Sequence, residues 1–311
     1  MSDIRLSRTI EVETLNELLR EEPERVIGEA ETEFEKGLSE AVNRLFLAGE
    51  GRKVVLLSGP SASGKTTFAE KLCEALKSKG REAGRVSLDD FYLGLDYLPK
   101  NEDGTYDMES IQGLDLERVQ LCLSELLKDG ISRFPTFDFT KQQRSERWNT
   151  VSLSENGVLV IEGIYALYPL LGETLPKEGV FRLSIRPEKE YLFGGKENFS
   201  AKEVRLMRRM IRDEKFRNWP EEKTLEQWES VRRGERIYVD PFRETADLIL
   251  DTSFSYEPAV YRTILCPVLE KVTEKSPSFS MAQEILEKLS AFSGLLTEKV
   301  PQTSLLREFI G

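Results

Sequence analysis

Lys53-Val54-Val55-Leu56-Leu57-Ser58-Gly59-Pro60-Ser61-Ala62-Ser63-Gly64-Lys65-Thr66-Thr67-Phe68 decides the fold. Val54 to Leu57 is a short, wholly apolar run, the pattern of a strand covered on both faces. From Thr66 to Lys79, Phe68, Ala69, Leu72, Cys73, Ala75 and Leu76 fall on one side of a helix, and Gly80 is the stop. Between strand and helix, Gly59 to Thr66 fits G-x-x-x-x-G-K-[ST] in full. Glycines let successive backbone N–H groups turn inward around phosphate oxygens. A helix starting near Gly64 aims its positive end at them. Lys65 brings a flexible cation to the outer phosphates, and the Thr66 hydroxyl suits Mg²⁺.

Outward from this loop the chain alternates strands and helices. Strands are expected at 85–88, 158–161, 180–185 and 248–250, and a helix at 116–128 between Asp115 and Gly130. That alternation predicts a three-layer α/β fold with a parallel sheet flanked by helices. Upstream, Val26, Ala30, Phe34, Leu38, Ala41, Val42, Leu45 and Phe46 predict a helix opened by Pro23 and closed by Gly49 and Gly51. Downstream, helices are expected at about 256–273, 281–291 and 303–310. The organisation read from this is an N-terminal helical segment (1–50), a core (51–252) and a helical C-terminal extension (253–311).

Composition removes several kinds of chemistry. The 311 residues hold 44 Lys plus Arg, 55 Asp plus Glu and no His, for a net charge of −11. Serine and cysteine hydrolase triads and imidazole zinc sites are therefore excluded, and a general base must come mainly from a carboxylate or lysine. The acidic balance argues against a nucleic-acid partner. Cys73, Cys122 and Cys266 fit no zinc or redox spacing. No apolar run is long enough for a membrane span, and a cytoplasmic location is expected.

Three groups of residues then stand out as chemistry. Asp89 and Asp90 end the second strand, at the edge where the phosphates would lie; Asp89 can take a proton from an attacking hydroxyl or help hold Mg²⁺. Glu162 ends the apolar run Val158-Leu159-Val160-Ile161, a Walker B pattern with Glu for Asp. Arg205, Arg208, Arg209 and Arg212 recur at i, i+3, i+4 and i+7 on a helix over 202–217, a lid (about 196–220) able to close over a triphosphate.

In order along the chain, Gly59–Thr66, Ser87-Leu88-Asp89-Asp90-Phe91-Tyr92, Phe137-Asp138-Phe139, Ile161-Glu162-Gly163, Arg208-Arg209 through Arg212-Asp213, and Leu225-Glu226-Gln227-Trp228 resemble the uridine kinase and phosphoribulokinase family of P-loop kinases over about 53–252. Ser230-Val231-Arg232-Arg233-Gly234-Glu235 and Ser304-Leu305-Leu306-Arg307-Glu308-Phe309-Ile310-Gly311 resemble a uridine kinase-like branch with a longer C-terminus. The resemblance implies a P-loop NTPase fold, ATP and Mg²⁺ as cofactors, and transfer of a phosphoryl group to an alcohol. Gly59, Ser61, Ala62, Ser63, Gly64, Lys65, Thr66, Thr67 and Arg205 would contact the nucleotide. Asp89, Lys65, Arg209 and Arg212 would be catalytic, with Thr66, Glu162 and Asp89 near the metal. Tyr92, Glu109, Phe137, Gln142, Arg217 and Gln227 would line the acceptor pocket.

Two departures bear on the acceptor. Where pyrimidine nucleoside kinases of the family place a base-reading histidine, Phe137-Asp138-Phe139-Thr140-Lys141-Gln142 offers Gln142, and Phe137 replaces a tyrosine. Trp219 replaces a pocket arginine. A site built on particular hydrogen bonds loses selectivity when those groups go. The expected partner is a small hydroxyl-bearing molecule (a nucleoside, sugar or polyol), without nucleic acid or membrane and with room for a homo-oligomer. Phosphoribulokinase- or pantothenate kinase-like acceptors are alternatives. So is a nucleotide-binding regulator with slow hydrolysis, although the guanine-reading Asn-Lys-x-Asp is lacking, or a non-catalytic assembly protein.

Overall fold

A computed structural model describes residues 8–101, 104–138, 141–172 and 175–311; Phe139 and Thr140 of the acceptor-reading segment lie outside the described residues. The chain opens with strand β1 (Thr9–Glu11) and helices α1 (Val12–Glu21) and α2 (Pro23–Leu47). The loop-bearing unit follows as β2 (Lys53–Ser58) and α3 (Lys65–Ser78), then β3 (Ala83–Ser87) and α4 (Leu116–Asp129). Next come β4 (Ile131–Asp138), β5 (Gln143–Ser152), β6 (Val158–Glu162) and the single turn α5 (Pro169–Gly172). Strands β7 (Val180–Arg186), β8 (Glu190–Phe193) and β9 (Lys196–Phe199) lead to helices α6 (Ala201–Arg217) and α7 (Glu221–Tyr238). Strand β10 (Leu248–Asp251) and helices α8 (Glu257–Leu269), α9 (Phe279–Ser290) and α10 (Arg307–Ile310) complete the chain.

The central sheet is parallel, in the order β10-β7-β2-β6-β3. Two of its three inner strands, β2 and β6, are buried at every position, as their uninterrupted apolar runs require. Apolar residues on the two sides of the sheet form two cores. One gathers α2, α3, α6, α8 and α9; the other gathers α4 and the segment after β6. The α/β three-layer reading therefore holds, and α2 and the late helices share a core with the sheet.

Three features differ from the sequence reading, and the first is that Thr9–Glu11, inside the segment expected to be helical, forms β1 and pairs with β8 in a separate three-stranded sheet with β9. Strands β4 and β5 pair as an antiparallel hairpin outside the central sheet, with a register shift between Pro135 and Phe137. The polar face of β5 hides its strand character, since nearly every residue there is half-buried or exposed. At the far end the expected helix 303–310 shrinks to Arg307–Ile310. Ser304 to Leu306 instead form a buried turn, with Ser304 N–H on the Pro301 carbonyl and Arg307 N–H on that of Ser304.

Candidate active site at the carboxyl edge of the sheet

Strand register builds the site. Leu57 on β2 stands opposite Glu162 on β6, and Ser87 on β3 stands opposite the same residue. The three strands end together, so Gly59, Gly163 and Asp89 emerge side by side at the carboxyl edge, where ligands of parallel sheets bind. The crossing is tight: a Cβ on Gly163 would lie 2.6 Å from the Leu88 Cβ.

The loop itself is a strained turn that only certain residues allow. A Cβ on Gly59 would be driven into the Ile185 carbonyl oxygen at the end of β7. Gly64, the residue before α3, has φ +86°, and Ala62 adopts the left-handed region at φ +59°. The turn is held from outside by buried charge. Ser61 N–H donates to Glu235 Oε1 at 3.0 Å, and Arg205 donates to the Ser61 carbonyl at 2.9 Å. Arg205 also forks onto both oxygens of Glu235, at 2.6 and 2.8 Å, and Arg232 donates to Oε2. Burial alone would raise the Glu235 carboxyl, but Arg205 and Arg232 outweigh it and hold the group below its usual range. Arg209 donates to Ser61 Oγ at 2.8 Å, and Thr252 Oγ1 to the Ser63 carbonyl at 2.8 Å. Ser63 Oγ is buried with no partner among the described residues.

Inside the turn is a cavity of about 220 Å³ lined by Lys65, Thr66, Asp89, Glu162, Arg209, Arg212 and Arg217, among others. Lys65 Nζ rests on the Pro60 carbonyl at 3.0 Å. Burial lowers its pKa, opposed by Glu162, Glu308 and Asp89. Thr66 Oγ1 donates to Glu162 Oε1 at 3.3 Å, and Arg85 reaches the same oxygen at 3.5 Å. Burial raises the Glu162 carboxyl, with Lys65 opposing. Asp89 follows β3 in a 3-10 turn over Leu88–Phe91, its N–H on Ser87 Oγ at 3.3 Å. Its side chain opens to the cavity but is ringed by protein. That enclosure pushes its carboxyl up, again with Lys65 opposing. Asp90 turns away, and its Oδ1 accepts the Phe137 N–H at 3.5 Å.

Helix α6 does not present four free arginines. Arg208 is fully buried and pairs with Glu257 at 2.7 and 3.0 Å, and Arg205 is committed to Glu235. The tetrad expectation is corrected here, because the helix is covered on both sides and two of its arginines fasten it to α7 and α8. Arg205 meets the loop backbone but does not line the cavity. Arg209, Arg212 and Arg217 do line it, and all three converge on one carboxylate. Asp213, with no exposed surface, lies 3.3 Å from Arg209, 2.9 Å from Arg212 and 3.3 Å from Arg217.

Of the expected acceptor residues, the Tyr92 and Phe137 rings meet edge to face at 6.0 Å. Tyr165 donates to the Glu109 carbonyl at 3.0 Å. Burial raises the Glu109 carboxyl, and Arg209 opposes this. Gln142, in the left-handed region at φ +52°, is exposed, and Gln227 is half-buried on α7; neither lines this cavity. A second, polar cavity of about 480 Å³ shares Thr66, Asp89 and Glu162 and adds Arg85, Ser87, Asp90 and Asn149. Sequence reasoning gave Asp213 only a place in a solvated, ion-paired face of the arginine helix and gave no role to Glu235, Glu257 or Glu308. For Glu235, Glu257 and Glu308 the signal, an acid near an arginine or near the loop, exists only once distant segments meet, whereas Asp213 stands beside Arg212 and four residues from Arg209 and Arg217 on the same helix.

A glycine-rich turn at a sheet edge, a lysine and threonine opening the following helix, an acid ending the neighbouring strand β6 and another just past β3 define a P-loop kinase site. Residues 54–170 match the model of the phosphoribulokinase / uridine kinase family. Over that segment the chain is similar to that family. A uridine kinase of Ureaplasma parvum is 26% identical over 196 residues, 63% of this chain and 86% of the relative. Uridine-cytidine kinase B of Dictyostelium discoideum is 26% identical over 232 residues, 74% of this chain and 86% of the relative. A solved structure of a possible uridine kinase from Bacillus stearothermophilus aligns with 18% identity and a TM-score of 0.47, covering 70% of this chain and 100% of that one.

Proposed function

We propose that the chain is a Mg-ATP-dependent kinase that moves the γ-phosphoryl group to a hydroxyl of a small molecule. The observation that carries this reading is the meeting of Lys65, Asp89, Glu162, Arg209, Arg212 and Arg217 around one cavity. Lys65 and the N–H groups of the loop bind the phosphate oxygens of the donor. Asp89 orients the acceptor hydroxyl and takes its proton, a role suited to a carboxyl raised by enclosure. Arg209, Arg212 and Arg217, aimed by Asp213, neutralise charge on the transferring group. Catalysis is mainly positioning and electrostatics.

The donor set suits magnesium. Thr66 and Glu162 offer a hydroxyl and a carboxylate, both hard oxygen ligands. No cluster of three acidic, histidine or cysteine side chains that could hold a metal occurs among the described residues. Magnesium would supply charge neutralisation between phosphate oxygens.

The acceptor reading departs from pyrimidine nucleosides. With Gln142 exposed and no histidine in the chain, the groups that would read a base are missing. Trp219 is engaged by Lys223, 3.7 Å from its ring centre. The polar cavity beside Asp89 supports a hydroxyl-rich acceptor such as a sugar or polyol. No helix among the described residues is long and apolar enough to cross a membrane. The test is ADP release from Mg-ATP across nucleosides, sugars, polyols and pantothenate. One class should turn over, and Lys65→Ala and Asp89→Asn should each abolish transfer in a folded protein. Full activity in either variant refutes the assignment.

A further inference from the structure

The segment after α9 returns to the phosphate loop. Leu305, fully buried, packs on Gly64, where a Cβ would come within 2.6 Å of its methyl carbon. Glu308 Oε2 accepts the Thr67 N–H at 3.1 Å, in the first turn of α3. Phe309, also fully buried, lies under the Arg208 guanidinium, 5.1 Å from ring centre to charge. Lys215 of α6 holds the Ile310 carbonyl.

Thr67 N–H is one of the free donors at the start of a helix, where the dipole also favours an anion. In the structure that donor is taken by a carboxylate of the chain itself. Glu308 lines the same cavity as Lys65, Arg209, Arg212 and Arg217, and its charge reaches Lys65. A donor phosphate entering the loop meets both an occupied N–H and a like charge.

We propose that Glu308 is a tethered competitor of the donor: its carboxylate occupies a phosphate position of the loop, and the donor binds only by displacing it. This rests on the donor-site reading above. The segment 305–310 thereby sets donor affinity through an internal anion, so that anything drawing it off α6 opens the site.

The test is calorimetric titration of Mg-ATP into the full chain and into Glu308→Gln and Glu308→Asp variants. Glu308 is half-buried and reaches the loop with its tip, so the amide keeps the packing and removes the charge. Loss of a competing charge-assisted hydrogen bond is expected to tighten Mg-ATP binding about tenfold or more in Glu308→Gln. Glu308→Asp keeps the charge but shortens the reach by one methylene, and is expected to bind Mg-ATP with an affinity between those of the unaltered chain and Glu308→Gln. Equal or weaker binding by Glu308→Gln overturns the proposal while leaving the kinase reading intact. Absence of Mg-ATP binding by every variant removes the donor site itself, and the proposal with it.

Discussion

Consider Glu235→Gln. In the native fold Oε1 receives Ser61 N–H and Arg205, and Oε2 receives Arg205 and Arg232. The side chain is 1% exposed. An amide keeps one acceptor oxygen but turns an NH₂ toward guanidinium donors and leaves Arg205 buried without its counter-charge. Removing one partner of a buried ion pair costs about 3–5 kcal/mol, and the retained oxygen places this case near 3 kcal/mol. Urea unfolding at pH 7 measures it. The pH dependence is a second check. The native carboxyl titrates below its unfolded value, so its stabilisation is present above the unfolded pKa and is lost as pH falls through the native one. The gap between the two proteins should therefore narrow below about pH 4. The variant should also bind Mg-ATP more weakly, because Ser61 loses its anchor. A gap under about 1 kcal/mol, or one that does not change with pH, refutes the view that Glu235 braces the loop electrostatically.

Three further outcomes follow from the same geometry. Glu257→Gln strands the fully buried Arg208 and should destabilise the chain by about 3–5 kcal/mol in urea unfolding, whereas an exposed pair such as Arg44–Glu40 should give under about 1 kcal/mol. Gly59→Ala drives a methyl into the Ile185 carbonyl and should cost the protein Mg-ATP binding in calorimetry; undiminished affinity would mean the loop moves freely. The Asp89 and Glu162 carboxyls are both raised by enclosure and share Lys65, so kcat/KM should fall on the acid side with a midpoint above the ordinary carboxylate range. A midpoint at or below about pH 4 would contradict that assignment.

Much of this was legible in one dimension. The buried strands β2 and β6 announce themselves as unbroken apolar runs, and the loop carries its residues within eight consecutive positions. Asp89 and Glu162 follow from simple position, each just past a strand whose end must lie beside the loop. The β4–β5 hairpin was not legible, because β5 buries little and Pro135 sits within β4. The α6 arginines were legible as a face but not by destination. Arg205 and Arg209 are one turn apart, yet one braces the loop through Glu235 while the other enters the cavity.

The division has a physical cause. The phosphate loop is recognised at short range: its glycines, its lysine and threonine and the following helix lie within one stretch of chain, so its presence is read from sequence alone. The state of each charge is long-range. Whether Arg205 and Arg208 are ligands or struts, and whether the loop's N–H groups are free, depends on carboxylates that lie far along the chain at 235, 257 and 308. Only the packing of α6, α7, α8 and the terminal segment against the sheet brings those partners within hydrogen-bond distance, and Coulomb forces between buried groups act on distance in space.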